Sequence, residues 1–203
     1  ARRYPHVYAA VGWHPENCAP YTRESLDSLR AWAKSPKVVA IGEIGLDYYW
    51  EQNPPREFQQ EVFRDQLALA QELGLPVIVH DREAHAEMYE LLRRYKPRGV
   101  LHCYSGSPDD AAWLVEQGML LGFGGAVTYK GAKRAAKVLA AIPHTSAVLE
   151  TDCPYMAPEP VRGHRNDSRN IAHVADYIGT IWGMDAQAVL DITAANARKC
   201  FNL

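Results

Sequence analysis

The chain is 203 residues long, enough for one sizeable core, and its 47% hydrophobic and 23% charged content is that of an ordinary soluble globular protein. Its formal net charge of −2 excludes a generally basic surface but leaves room for a local basic groove. Cys18, Cys103, Cys153 and Cys200 are scattered with no CxxC pair, so they read as reduced thiols of a cytoplasmic protein rather than a disulfide framework. The longest apolar runs, such as LALAQELGLPVIV, are broken by Gln, Glu and Pro, so neither a membrane span nor a signal peptide is expected.

In chain order, VYAAVG (7–12) reads as a buried strand after almost no lead-in, an abrupt start that points to processing or truncation. A helix is expected over 22–35, with Leu26, Leu29 and Ala33 on one face and Thr22 as N-cap. KVVAIGEIG is the next strand. Residues 54–74 form the clearest helix, with proline at the start and Gly74 at the end. PVIVH (76–80) is a strand, 83–95 a helix and GVLHC (99–103) a strand. Residues 107–118 are a helix with Ser107 as N-cap and Pro108 at its first position. MLLGFGG is a strand, KRAAKVLAAI a helix and SAVLETD (146–152) a strand. Two helices follow, around 168–182 and 185–200, the second capped by Asp185. The six strands are near-continuously apolar, as in parallel sheets buried on both faces, which suits a doubly wound sheet or most of a barrel. GFGG (122–125) is not a dinucleotide fingerprint, and there is no P-loop. No linker divides the chain, so 1–203 reads as one domain.

Polar residues gather where these strands end. Strand one runs into His14, strand two gives Glu43, strand three ends at His80, strand four at His102 and strand six at Asp152. In a parallel α/β fold strand C-termini share one face, and in a barrel they point to a common centre. Two imidazoles and two carboxylates suit a divalent-metal site, and a cation would offset the cost of burying Glu43. Taken singly, each has a plainer role: a strand-end His bonded to its neighbours, Glu43 paired with Arg82, Asp152 capping a turn. Their joint placement at C-terminal ends favours the metal.

The segments VYAAVGWHPE, AIGEIGLDYY, PVIVHDREA, LHCYSG, GFGGAVTYK and LETDCPYMAP, in that order, resemble the motifs of TatD-related metal-dependent hydrolases over nearly the whole chain. The resemblance implies a (β/α)8 TIM-type barrel, here with about six of eight βα units because the first two strands are missing from the N-terminus. It implies a deoxyribonuclease that cleaves DNA phosphodiester bonds, often as a 3′–5′ exonuclease, using two divalent ions (Mg, Mn or Zn). Carried over by motif, Glu43, His80, His102 and Asp152 are metal ligands. Glu43 bridges the ions, and Asp152 helps activate the attacking water. The family's opening Asp-x-His-x-His motif has no counterpart, since no His-x-His occurs in the chain. The loop sequence RGHRNDS (162–168) departs from the family's Arg-Gly-Lys-Arg-Asn-Glu-Pro at two positions, His164 and Ser168.

His14, Arg82, Lys130, Arg162 and Arg165 are the candidate contacts for substrate phosphates, and Tyr48, Tyr49, Trp50 and Tyr104 for stacking on bases of single-stranded ends. The competing expectations are an amide, ester or lactone hydrolase on the same scaffold, and an inactive fragment that binds metal or DNA.

Overall fold

The computed structural model describes all 203 residues. Six strands form one sheet in chain order: β1 (Ala9–Val11), β2 (Val38–Asp47), β3 (Val77–Arg82), β4 (Gly99–Leu101), β5 (Met119–Phe123) and β6 (Ala147–Leu149). Seven helices intervene or follow: α1 (Ser25–Ala33), α2 (Arg56–Leu73), α3 (His85–Tyr95), α4 (Pro108–Glu116), α5 (Lys133–Ala141), α6 (Ile171–Trp182) and α7 (Ala186–Phe201). Apolar strands alternating with helices produce the parallel α/β architecture expected from the sequence. The chain divides into two compact units, residues 1–100 and 101–201.

In the first unit β1, β2 and β3 pair in parallel. Between β2 and β3 the register slips at Gly42–Ile44, which leaves Glu43 as the extra residue of a bulge. A bulge re-aims the side chain it carries. Past it, Gly45 sits opposite His80, at φ +148, where an added Cβ would lie 2.0 Å from the His80 carbonyl oxygen. Only glycine allows the strands to approach so closely there. β2 runs two residues further than GEIG suggests, to a fully buried Asp47.

Helix α2 ends as expected, with Gly74 left-handed at φ 66. It buries Val62, Phe63 and Leu67, and on the same side two glutamines, Gln59 and Gln66. Each glutamine acts as a clasp on the backbone. Gln66 accepts from the Trp13 N–H (2.6 Å) and donates to the Trp13 carbonyl (3.1 Å). Gln59 does the same for Asp47, accepting from its N–H and donating to its carbonyl, both at 2.9 Å. The helix thus satisfies the peptide groups that leave β1 and β2 where no strand neighbour does. Thr22 is not the cap of α1, which starts three residues later; the Thr22 N–H instead donates to the Ser25 hydroxyl at 3.1 Å.

In the second unit β5 and β6 pair in parallel. Ser107 caps α4 by accepting from the Asp110 N–H (3.1 Å), and its hydroxyl donates to the Asp110 carboxylate (2.7 Å). Asp185 caps α7 through the Ala188 N–H at 2.7 Å. Asn196 on α7 donates to the carbonyls of His144 (2.9 Å) and Ala147 (2.8 Å), tying the helix to the start of β6. β6 stops at Leu149, so Asp152 is not the end of a strand, as SAVLETD suggests. It lies in the following turn at φ 53, a left-handed position that asparagine and aspartate tolerate better than most residues. The buried Asn166 holds that turn by donating to the carbonyls of Thr151 and Tyr155, both at 2.7 Å.

Candidate functional site

In the first unit the loop after β1 and the C-terminal halves of β2 and β3 bring His14, Glu43 and His80 together. One ligand atom from each lies within 4.8 Å of the others. His14 follows β1, where the Gln66 clasp fixes Trp13 beside it, and its Nδ1 accepts from the Glu16 N–H at 3.3 Å. Its ring meets that of His80 edge-on, centroids 4.5 Å apart. His14 was expected to touch substrate; the structure brings its Nε2 to 3.5 Å from Glu43 Oε1, into the cluster itself.

His80 is held from both sides. Its Nε2 is 3.0 Å from Asp47 Oδ2 and its Nδ1 is 2.9 Å from Glu43 Oε1. Asp47 is a buried acceptor, and its other oxygen takes the Tyr49 N–H (3.0 Å) and the Asn53 amide (3.1 Å). Nε2–H therefore donates to Asp47, which leaves the Nδ1 lone pair facing a carboxylate oxygen. Two acceptors at 2.9 Å require positive charge between them, either a proton or a cation. Burial works against the imidazolium, but hydrogen bonds and charge from Glu43 and Asp47 outweigh it and raise the His80 pKa. The cluster thus meets the chemistry of a divalent-metal site: imidazole and carboxylate donors converge, and an outer carboxylate fixes the ring. Glu43, 32% exposed on its side chain, remains within reach of ions from solvent.

In the second unit His102 follows β4 directly, and its Nδ1 lies 2.9 Å from Glu150 Oε2. Glu150 Oε1 accepts from the Cys103 N–H at 2.6 Å.

The basic candidates separate. Arg82, at the end of β3, stacks its guanidinium 3.8 Å from the Tyr49 ring centroid and 5.3 Å from that of Trp50. It is not the partner of Glu43. Both aromatics are exposed and meet edge-on, 4.6 Å apart. Arg162 lies 4.1 Å over Tyr129 and 3.7 Å from Glu159. Lys130 is exposed on a turn and Arg165 in an irregular loop. Tyr104 is buried and spends its hydroxyl on the Ser107 carbonyl, and Tyr48 accepts from Gln60 under Arg56, so of the four aromatics Tyr49 and Trp50 present their rings.

Residues 1–202 match the TatD related DNase family. The chain belongs to that family. It is 39% identical over 203 residues to the uncharacterized metal-dependent hydrolase YabD of Bacillus subtilis, covering 98% of this chain and 79% of the relative. It is 34% identical over 211 residues to the 3′-5′ ssDNA/RNA exonuclease TatD of Salmonella typhimurium, covering 100% and 81%. The crystal structure of YjjV, a TatD homologue from Escherichia coli K12, superposes with a TM-score of 0.91 at 33% identity, over 100% of this chain and 79% of that one. Family membership makes the chain a metal-dependent hydrolase by descent, on the barrel-type α/β scaffold expected from its motifs. No helix is long and apolar enough to cross a membrane.

Asp47, Gln59, Gln66 and Glu150 escaped the reading of the sequence. Asp47 had a signal: an acid closing an apolar run, four residues after Glu43. The two glutamines, seven apart and so on one helical face, had another. Glu150 was overlooked beside Asp152 in LETD.

Proposed function

We propose that the chain hydrolyses phosphodiester bonds of DNA, acting from the 3′ ends of single strands, with divalent cations held by Glu43, His80, His102 and Asp152. The observation that carries this reading is the His14–Glu43–His80 cluster, whose central histidine already gives its second nitrogen to Asp47. The name of the Salmonella relative supports the substrate class. Two divalent ions, Mg²⁺, Mn²⁺ or Zn²⁺, would neutralise charge on the phosphate oxygens and lower the pKa of the attacking water.

The chain's own residues have distinct tasks. Glu43 and His80 bind and orient; Asp47 keeps the His80 ring in one tautomer; Asp152 accepts the proton of the attacking water. Arg82 with Tyr49 and Trp50 offers one cation beside two aromatic rings, the pairing that binds phosphate and stacks on an unpaired base. Lys130, Arg162 and Arg165 are further phosphate contacts, and His14 stands within the Glu43–His80 cluster.

The test is digestion of 3′-labelled single-stranded DNA by the chain loaded with Mn²⁺ or Mg²⁺, with and without chelator, alongside metal analysis. Digestion is expected to stop with chelator and to fall at least ~100-fold in Glu43→Ala and His80→Ala. Unchanged digestion in either variant would sink the ligand assignment. Chelator-sensitive hydrolysis of amides, esters or lactones, with DNA untouched, would move the chain to the other hydrolase class. Stoichiometric binding of metal or DNA with no turnover would make it a binding fragment.

A further inference from the structure

GFGG, which matches no nucleotide-binding pattern, acquires a physical reason in the second unit. Gly122 and Gly124 lie two residues apart in extended chain, so they face the same side, while Phe123 between them is buried. The side they face is filled by Glu150. A Cβ on Gly122 would stand 2.7 Å from Glu150 Oε2 and 3.2 Å from the Cα of His102. A Cβ on Gly124 would stand 3.3 Å from Glu150 Cγ. The Glu150 N–H donates to the Phe123 carbonyl at 3.1 Å, which fixes where the side chain begins.

The carboxylate then meets two donors. Oε2 is 2.9 Å from His102 Nδ1 and Oε1 accepts from the Cys103 N–H at 2.6 Å. Cys103 holds a left-handed backbone, φ 48, uncommon for a residue with a side chain. Strain of this kind persists where surrounding contacts over-determine it. Two clearing glycines, a strained donor and a bidentate acceptor all serve the orientation of one imidazole.

We propose that Glu150 is the positioning residue of His102: it accepts Nδ1–H, locks the ring in one tautomer and so puts the lone pair on Nε2 for a cation. The second unit thereby repeats what Asp47 does for His80 in the first, with the ring nitrogens exchanged. This inference rests on the reading of His102 as a metal ligand. The chemistry makes it testable, because both oxygens of Glu150 accept. A glutamine has one oxygen and one NH₂ group, so it cannot serve both donors. If its NH₂ faces His102, the ring must move its proton to Nε2 and loses that nitrogen as a ligand.

The full chain, labelled with ¹⁵N-histidine and stripped with chelator, reports tautomers directly by NMR, and calorimetry with Mn²⁺ alone reports affinity. Wild-type His102 is expected to carry Nδ1–H. E150Q should shift the ring toward Nε2–H and weaken Mn²⁺ binding 10–100-fold, about the usual effect of losing an outer-shell partner. E150D keeps two acceptor oxygens on a shorter arm and should retain Nδ1–H with a smaller loss. G122A, which pushes the carboxylate off the ring without altering it, should mimic E150Q and serves if that variant does not fold. A wild-type ring found as Nε2–H, or an E150Q protein with tautomer and affinity unchanged, overturns the proposal. H102N separates the two layers. If it leaves Mn²⁺ affinity intact, the ligand reading fails and the proposal with it. If H102N weakens binding and E150Q does not, Glu150 alone loses its role.

Discussion

Cys18 sits fully buried with Tyr21 and Val62, against Trp13, Leu26 and Phe58, and its thiol donates to the Pro15 carbonyl at 3.2 Å. Burial pushes its pKa up to about 11, against a smaller opposing backbone hydrogen bond. Burial and the hydrogen bond to Asp65 raise that of Tyr21 as well. Both groups are neutral in the folded chain and ionise more readily once unfolded, so the native state binds more protons at alkaline pH. Stability is therefore full below pH 9 and falls as pH rises from the unfolded thiol value toward 11, by on the order of 2 kcal/mol from Cys18. Urea midpoints between pH 8 and 11 should show this decline. In Cys18→Ser, which keeps a donor for Pro15, the decline should begin near pH ~10, where unfolded tyrosine starts to ionise. Superimposable curves would remove Cys18 as the cause. At this scale the sequence singles out Glu43, His80 and His102 as candidates because each interrupts or ends an apolar run. It did not disclose the carboxylates that orient the two histidines. Asp47 lies beyond a bulge that no pattern in GEIG announces, and Glu150 needs the glycines of another strand to make room for it.

Helices and strands were legible where local chemistry decides them. Ser107, Pro108 and Asp110 determine the start of α4 by themselves, and Gly74 ends α2. Thr22 failed as a cap because the hydroxyl that takes a turn N–H is that of Ser25, three residues on. Long-range clasps could not be read, since Gln59 looks like any polar residue of a helix until its partner strand is placed. The two kinds of contact should differ in worth. Ser107→Ala removes one partly exposed cap and is expected to cost about 1 kcal/mol. Gln59→Leu leaves the Asp47 N–H and the Pro54 carbonyl without this partner, while the Asp47 carbonyl keeps the Asn53 amide at 3.1 Å. At about 1–3 kcal/mol for each buried group left unsatisfied, the loss should be at least twice that of the cap. Urea denaturation of the two variants at pH 7 measures both. An equal or smaller loss in Gln59→Leu would mean that the clasp adds little to the strand's own bonds. Because Asp47 also orients His80, the same variant should weaken Mn²⁺ binding, whereas Ser107→Ala should not.

For the chain as a whole, near-continuous apolar strands predict parallel pairing, because neither face can be left to water, and the six-stranded parallel sheet follows. The same pattern serves a doubly wound sheet and a barrel equally, so hydropathy could not choose between them; the ordered motifs did. The two candidate histidines, each in a different unit and each with its own carboxylate, set a further expectation for stability. In the first unit Glu43 and His80 hold acceptor groups 2.9 Å apart, an arrangement that a cation relieves and an unfolded chain does not reproduce. Metal should therefore bind the native state selectively and raise its stability by mass action. With Mn²⁺ at a hundred times its dissociation constant the gain is about 2.7 kcal/mol. For a chain of this size, that corresponds to a rise of roughly 5–10 °C in the unfolding midpoint. The rise should vanish with chelator, and should be absent in Glu43→Ala and His80→Ala even where those variants fold as well as wild type in metal-free buffer. Calorimetric or fluorescence melts of the three proteins, each with and without Mn²⁺, measure it. A rise of the same size in both variants would show that the cation binds elsewhere, and the acceptors facing each other at Glu43 and His80 would then be held by a proton.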